Sequence, residues 1–177
     1  MAENKLHLYT GDGKGKTTAA MGLALRAAGH GFSVLVAQFM KKGNSGELKA
    51  FERFENVRVR LAPPISGFTF RMTEQQRDSA RREQTDFAYR LINCELNESK
   101  PRMIVLDELA VAVSTGMVSE EDARALIAAS LSFGETAVTG RGAPQWLIEI
   151  SDYVSRIEAV KHPLSSQGLA AREGVEW

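Results

Sequence analysis

The sequence GDGKGKTT at residues 11–18 lies between a short predicted strand, residues 6–10, and a segment of helix-forming composition, residues 16–28. A glycine-rich turn between a strand and a helix is the context of a Walker A phosphate-binding loop. Glycines let backbone N–H groups face phosphate oxygens, and the helix start adds the positive end of its dipole. Lys16 supplies a compact charge, and the Thr17 hydroxyl can bind magnesium. The sequence therefore predicts a site for a nucleotide triphosphate, ATP with Mg²⁺.

One position of this loop departs from the Walker A pattern. The pattern has glycine at residue 10, where this chain has Thr10, and glycine follows at Gly11. We therefore expect a shorter loop or a shifted grip on the phosphates. Lys14 is open between a phosphate contact and a position facing solvent. The predicted ATP-binding residues of the loop are Gly11, Asp12, Gly13, Lys14, Gly15, Lys16, Thr17 and Thr18.

A pair of acidic residues follows a second apolar segment. Residues 103–106 predict a buried strand, and Asp107 and Glu108 come directly after it, in the manner of a Walker B element. The carboxyl end of this strand should meet the phosphate loop at one sheet edge. One acid can hold magnesium while the other acts as base or second ligand, and their order stays open, as does an ordinary strand end. The predicted metal ligands are Thr17, Asp107 and Glu108, and the predicted catalytic residues are Lys16 and Glu108.

The rest of the chain alternates strands with helices. Apolar or alternating runs predict strands at residues 33–39, 57–61, 103–106, 137–139 and 153–160, in addition to 6–10. Helical spacing and capping residues predict helices at residues 46–54, 73–97, 119–131 and 144–150, in addition to 16–28. This alternation predicts an α/β fold with a mostly parallel sheet and helices on both faces, in a single domain spanning residues 1–177.

Composition limits the classes of function. Lys plus Arg equals Asp plus Glu at 22 each, so we expect neither a nucleic-acid partner nor a membrane. Cys94 is the only cysteine, which excludes an internal disulfide and a thiolate metal cluster. The N-terminal sequence lacks the apolar core of a signal peptide, and no apolar run is long enough for a bilayer, so we expect a cytoplasmic protein. The absence of an N-K-x-D sequence argues against a GTPase.

Three further segments carry weaker signals. Arg141 follows a predicted strand and can bind phosphate at the same sheet edge, or stand as a solvated turn residue. Residue types alone favour a place outside the site for residues 160–163, VKHP. Phe68 and Phe70 lie in a predicted Pro- and Gly-rich loop, residues 62–70, where residue types favour core packing over a platform for a ligand.

Taken together, the motifs resemble one family, the P-loop ATP:corrinoid adenosyltransferases, also called cob(I)alamin or cob(I)yrinic acid a,c-diamide adenosyltransferases. The similarity spans nearly the whole chain in the family's order. The matching segments are TGDGKGKTTAA at 10–20, RAAGHG at 26–31, VAQFMK at 36–41, GFTF at 67–70, IVLDEL at 104–109, TGRGAP at 139–144, VKHP at 160–163 and the terminal AAREGVEW at 170–177.

The resemblance implies a RecA-like P-loop fold, a homodimer, and a nucleotide held in the reverse sense to ordinary P-loop enzymes. It implies transfer of the 5′-deoxyadenosyl group of ATP to the Co(I) of a reduced corrinoid, cob(I)alamin or a cobyrinic acid derivative, with release of inorganic triphosphate. Magnesium accompanies ATP, Arg141 joins the ATP-binding residues, and a reduced flavodoxin or flavin is the implied electron donor. The resemblance nominates Phe68 and Phe70 as corrinoid-binding residues that displace the lower axial ligand of cobalt. Phe70 stands where the family commonly has tryptophan.

Two other functions remain open from the residues alone. A small-molecule P-loop kinase would transfer the γ-phosphoryl group and release ADP. A nucleotide-dependent switch would hydrolyse ATP slowly to ADP and phosphate without a small-molecule acceptor. The identity of the phosphorus product distinguishes both from an adenosyltransferase.

Overall fold

One parallel sheet organises the protein. The computed structural model describes residues 3–41, 43, 45–65, 69–163 and 168–175. Within these residues six strands pair in the order β3-β2-β4-β5-β1-β6, and every pairing is parallel. The strands are β1 Leu6–Thr10, β2 Val34–Gln38, β3 Val57–Leu61, β4 Met103–Asp107, β5 Glu135–Thr139 and β6 Tyr153–Arg156. All six carboxyl ends therefore meet at one edge, where ligands bind in sheets of this kind.

Helices connect the strands across both faces of the sheet. In the described ranges the α-helices are α1 Lys16–Gly29, α2 Gly46–Phe51, α3 Glu74–Arg90, α4 Leu96–Ser99, α5 Leu109–Ser114, α6 Glu120–Phe133 and α7 Gln145–Ile150. A 3₁₀ turn, Thr69–Arg71, precedes α3, and a π-helical segment, Leu91–Glu95, joins α3 to α4. No helix in the described part of the chain combines the length and the apolar character needed to cross a membrane.

Two apolar cores lie on opposite faces of the sheet. Helices α3 to α7 pack on one face, where Phe39, Phe87 and Leu126 are almost fully buried. Helices α1 and α2 pack on the other face, where Met21 and Phe51 contribute. Strands β2 and β4 are buried along their whole length because they face both cores. The predicted α/β class, with a parallel sheet covered on both faces, is confirmed.

Local signals fix where two of the long helices begin. Thr73 and Gln76 form a reciprocal capping box at the start of α3, as the sequence predicts. The Ser119 hydroxyl accepts a hydrogen bond from the Asp122 backbone N–H at the start of α6. The region 73–97 is not one regular α-helix, however, because the π-helical segment interrupts it.

The prediction differs from the structure most at the end of the sheet and after the acidic pair. The predicted strand 153–160 ends at Arg156, because the following residues leave the sheet to pack on the loop 11–15. Helix α5 was not predicted, since its sequence LAVAVS is short and carries no cap. Burial of Leu109 and Ala110 in the core supplies the stability that the local sequence lacks.

Candidate active site

The phosphate loop, residues 11–15, connects β1 directly to α1. Gly11 and Gly15 adopt positive φ angles of 100° and 121°, which favour glycine. Gly15 is the N-cap of α1, and the helix begins at Lys16 without any capping side chain. The first backbone N–H groups of α1 therefore keep their hydrogen-bonding capacity for an anion.

Close backbone packing explains why position 11 is a glycine. Thr10 still belongs to β1 and pairs with Arg156 of β6. The Gly13 N–H donates to the Ile157 carbonyl oxygen at 2.8 Å. A Cβ atom at Gly11 would lie 2.4 Å from that same oxygen, so the segment after β6 requires glycine at this position. The turn of the loop thus begins one residue later than in the Walker A pattern.

Replacing Gly13 with alanine tests this packing. Its Cβ atom would lie 2.6 Å from the Glu158 carbonyl oxygen, so we expect Gly13→Ala to lower the free energy of unfolding. Overpacking of this kind costs about 1–3 kcal/mol. Gly22→Ala is the matched control, because Gly22 lies within α1 with no atom near the added Cβ. Helix propensity should make that variant more stable by about 0.5–1 kcal/mol. Urea denaturation measures both, and a Gly13→Ala protein as stable as the wild type would contradict the packing of residues 157–158 on the loop.

Lys16 lies at the base of the loop and is largely buried, with 8% of its surface exposed. Its Nζ donates to the Gly13 carbonyl oxygen at 2.7 Å. Burial lowers the pKa of Lys16 from its ordinary value, and the positive charge of Arg141 lowers it further. The charged form of Lys16 is therefore less stable here than in water, and an anion bound in the loop would stabilise it.

A cavity of about 1210 Å³ opens above the phosphate loop. Arg141 and Glu108 line it opposite the loop, so the structure brings the residues predicted from separate motifs to one cavity. Asp107 lies behind this wall and is fully buried. The predicted residues in the cavity wall are Asp12, Gly13, Lys14, Gly15, Lys16, Thr17, Thr18, Glu108 and Arg141.

Asp107 accepts four hydrogen bonds in the interior of the protein. Its Oδ1 accepts from the hydroxyls of Thr17 at 2.8 Å and Thr139 at 2.6 Å. Its Oδ2 accepts from Gln38 Nε2 at 2.8 Å and Lys41 Nζ at 2.9 Å. Burial by itself raises the pKa of Asp107, but the Lys41 charge and the Thr139 hydrogen bond outweigh it and lower the pKa below its ordinary value. The side chain is therefore a carboxylate that fixes the Thr17 hydroxyl.

Glu108 is held in an unusual backbone conformation at the start of α5. Its φ angle is 62°, in the left-handed region, and its N–H donates to the Thr139 hydroxyl at 3.0 Å. Its Oε1 lies 3.1 Å from Lys41 Nζ, and 20% of its side chain is exposed. Strained backbone of this kind persists only when neighbouring contacts enforce it. The conformation directs Glu108 into the cavity, whereas Asp107 stays buried.

Comparison with known proteins agrees with this arrangement of motifs. The family described as "ATP:corrinoid adenosyltransferase BtuR/CobO/CobP" matches residues 2–177. The chain belongs to this family. It is 36% identical to a corrinoid adenosyltransferase of Pseudomonas aeruginosa, over 97% of this chain and 83% of that protein. It is 34% identical to a corrinoid adenosyltransferase of Escherichia coli K12 and 32% identical to the corrinoid adenosyltransferase CobA of Salmonella typhimurium, each over 96% of this chain and 84% of the relative.

Membership in the corrinoid adenosyltransferase family confirms the predicted class of enzyme. The family transfers an adenosyl group from ATP to a corrinoid, a reaction of class EC 2.5.1.17. ATP and a corrinoid are accordingly the two substrates. The kinase and the switch that the residues alone left open are thereby set aside.

Sequence reasoning missed three polar residues that contact Asp107 at this sheet edge. Lys41 follows β2 at the same sheet edge as Asp107, and the rule that strand ends converge would have found it. Gln38 is a polar residue at the end of an otherwise apolar strand, which is itself a signal. Thr139 ends β5 and links Asp107 to the Glu108 backbone, a role that depends on the register of β4 against β5.

The segment after β6 also reaches the cavity. Residue types alone favour a place outside the site for residues 160–163, but His162 lines the cavity wall together with Gly174 and Val175 of the C-terminal segment. The reason is that β6 ends at Arg156 and the chain then runs past the phosphate loop. Phe68 and the side chain of Phe70 lie outside the described residues, although the Phe70 backbone belongs to the 3₁₀ turn.

Proposed function

We propose that the cavity above the phosphate loop binds the triphosphate of ATP and presents C5′ of the nucleotide to the cobalt of a reduced corrinoid. The observation that carries this proposal is the convergence of Lys16, Thr17, Glu108 and Arg141 on one cavity. A triphosphate there would meet two cationic side chains and the start of α1. Family membership supplies the reaction, and this convergence supports the place where it occurs.

The reaction asks the protein for alignment and charge stabilisation. The Co(I) of the corrinoid substrate attacks C5′, a Co–C bond forms, and the C5′–O bond breaks with its electron pair passing to the triphosphate. No side chain has to act as a nucleophile. Lys16 and Arg141 are placed to stabilise the negative charge that develops on the departing triphosphate. The loop N–H groups hold the phosphates so that C5′ stays in line with cobalt.

The residues around Asp107 fit a magnesium ion. Thr17 and Glu108 offer a hydroxyl and a carboxylate, the hard oxygen donors that Mg²⁺ prefers. In the described part of the chain, no cluster of three or more His, Cys, Asp or Glu side chains forms a metal cage, so phosphate oxygens would complete the ligand set. When bound, Mg²⁺ would neutralise charge on the triphosphate. We assign Glu108 as the acid facing the metal and Asp107 as the residue that orients Thr17, because Asp107 already accepts four hydrogen bonds.

Formation of the Co–C bond tests this function. With chemically reduced corrinoid and Mg·ATP, the protein should produce the light-sensitive absorption spectrum of an adenosylcorrinoid. Addition of EDTA should abolish the reaction because the triphosphate loses part of its charge stabilisation. Absence of the spectrum would contradict the proposed function. An undiminished rate in EDTA would contradict only its magnesium component.

We propose Phe68 and Phe70 as the aromatic residues that displace the lower axial ligand of cobalt, on the basis of the family motif at 67–70. If so, Phe68→Ala and Phe70→Ala should lose most activity when a biological reductant must reduce Co(II). Both variants should keep much more activity with chemically supplied Co(I), and their affinity for ATP should change little. Paired assays with the two cobalt states measure the difference.

Phe87→Ala is the control for this pair of assays, because Phe87 is a core residue with 1% exposure. Loss of a buried Phe side chain destabilises a protein by about 3–5 kcal/mol, so this variant should lose activity equally in both assays and melt at a lower temperature. If Phe68→Ala and Phe70→Ala also lost activity equally in both assays, that result would indicate core packing and contradict a corrinoid-binding role.

Two proposals rest on the family resemblance alone, a homodimer and a reduced flavodoxin or flavin as electron donor. A single domain over residues 1–177 and a cytoplasmic location are proposed from the sequence. The need for a strong reductant follows from the chemistry, because Co(I) is reached only at a very low potential. The binding of nucleotide in the reverse sense is likewise proposed from the family resemblance.

A further inference from the structure

The Lys41 ammonium group lies among the side-chain oxygens of Thr17, Asp107 and Glu108. Its Nζ is 3.0 Å from Thr17 Oγ1, 2.9 Å from Asp107 Oδ2 and 3.1 Å from Glu108 Oε1. These three side chains are the ones that the sequence nominated as metal ligands. The Lys41 ammonium group thus occupies the position that the proposed function gives to Mg²⁺.

A strained turn holds Lys41 in this position. Met40 has a φ angle of 63°, which is unfavourable for a residue with a side chain, and the Lys41 N–H donates to the Phe39 carbonyl oxygen at 2.7 Å. The Met40 N–H donates to Oε1 of Gln84, whose side chain is fully buried and also donates to the Pro63 carbonyl oxygen at 2.8 Å. The turn is therefore set by buried hydrogen bonds, and strain maintained in this way is typical of functional positions.

Two neighbouring carboxylates stabilise the charge of Lys41 at this position. Asp107 has no exposed surface and Glu108 is only 20% exposed, so two neighbouring carboxylates need a cation nearby. Burial lowers the pKa of Lys41, but the charges of Asp107 and Glu108 outweigh this and raise it. The Lys41 side chain is nevertheless 36% exposed and lines the cavity, so it has an open path away from the carboxylates.

We propose that Lys41 holds the metal-binding oxygens together in the nucleotide-free enzyme and gives up this place to the metal when Mg·ATP binds. The ammonium group then turns into the cavity and adds a third cationic side chain, with Lys16 and Arg141, to the triphosphate. This inference rests on the proposed metal role of Thr17 and Glu108. It makes Lys41 a positioning residue for those oxygens before ATP arrives.

Binding of Mn²⁺ in the absence of ATP tests the inference, with free Mn²⁺ followed by electron paramagnetic resonance. Lys41→Met removes the charge and keeps the length of the side chain. We expect Lys41→Met to bind Mn²⁺ about tenfold more tightly than the wild type or better, because the metal no longer competes with a fixed positive charge. Lys14→Met, which removes another lysine of the same cavity, should bind Mn²⁺ like the wild type. Adding Glu108→Gln to Lys41→Met should remove the gain, because Glu108 is the acid proposed to face the metal.

Melting curves provide a second readout that a merely structural lysine would not change. In EDTA, Lys41→Met should melt below the wild type, and Mg²⁺ without nucleotide should raise its melting temperature while leaving that of the wild type unchanged. If Lys41→Met binds Mn²⁺ no better than the wild type, while the wild type binds Mn²⁺ with ATP present, the inference is overturned and the proposed metal role stands. If the wild type binds no Mn²⁺ even with ATP, the metal role itself is contradicted, and the inference with it.

Discussion

Lys16→Ala is expected to lower the rate of adenosyl transfer about 10²–10³-fold, the usual effect of losing one charge-stabilising group in the transition state. Lys16 lies at the base of the phosphate loop, and its Nζ donates a hydrogen bond to the Gly13 carbonyl oxygen. A bound phosphate would replace this contact. The measurement is the rate of Co–C bond formation with chemically supplied Co(I) and saturating Mg·ATP. Lys14→Ala, at the outer part of the loop, should lose less. A folded Lys16→Ala protein of near-normal activity would show that the loop does not hold the triphosphate.

The pKa of Lys16 adds a pH dependence to the same prediction. Burial and Arg141 lower this pKa in the free enzyme, and a bound triphosphate would raise it again by stabilising the charged form. Affinity for ATP should therefore be full below the lowered pKa and should fall as the pH rises through it. Lys16→Arg stays charged at these pH values and should not show this fall. A wild-type pH profile identical to that of Lys16→Arg would contradict an anion contact by Lys16.

Asp107→Asn is expected to be the most destabilising single change at the site. The Asp107 carboxylate accepts hydrogen bonds from Thr17, Thr139, Gln38 and Lys41. An asparagine amide has the same shape, but its NH₂ group would face some of these donors and could not accept from them. Removing one partner of a buried charged network costs about 3–5 kcal/mol. Urea denaturation in EDTA without nucleotide isolates this effect from ligand binding.

Glu108→Gln serves as the control for Asp107→Asn. Glu108 lies at the same strand end but is partly exposed, and among the described residues its single ionic partner is Lys41, so its loss should cost less than about 1 kcal/mol of stability. Its activity should nevertheless fall if it faces the metal. Equal destabilisation by the two substitutions would contradict the different roles assigned to the buried Asp107 and the partly exposed Glu108.

The fold could be predicted where local pattern and tertiary environment agree. Strand β1 has the predicted bounds. Strands β2 and β4 differ from their predicted bounds by at most one residue at either end, because a strand that faces two cores needs a continuous apolar run. Strand β3 alternates apolar with basic residues, and it is an edge strand as expected. Helix α5 escaped prediction because only the surrounding core stabilises it.

The motifs of the site could be predicted from the sequence, but the contacts between its distant segments could not. The phosphate loop and the acidic pair are continuous in sequence, so residue types and spacing identified them. The place of Lys41 depends on how the ends of β2 and β4 meet, and the glycine at position 11 depends on Ile157, far along the chain. The same long-range packing brings His162 to the cavity. The contact of Ile157 with the phosphate loop leaves no local pattern in the sequence.

The chemical identity of the phosphorus product shows which bond of ATP the enzyme breaks. ATP, Mg²⁺ and chemically reduced corrinoid should be incubated with the protein, and inorganic triphosphate and ADP measured by phosphorus nuclear magnetic resonance while the adenosylcorrinoid is measured by absorbance. If the phosphate loop holds the leaving triphosphate during attack on C5′, one inorganic triphosphate should appear for each Co–C bond formed, and both should vanish together in Lys16→Ala. Accumulation of ADP in proportion to turnover, with no triphosphate, would mean that bond breaking occurs at the γ-phosphate and would contradict the account.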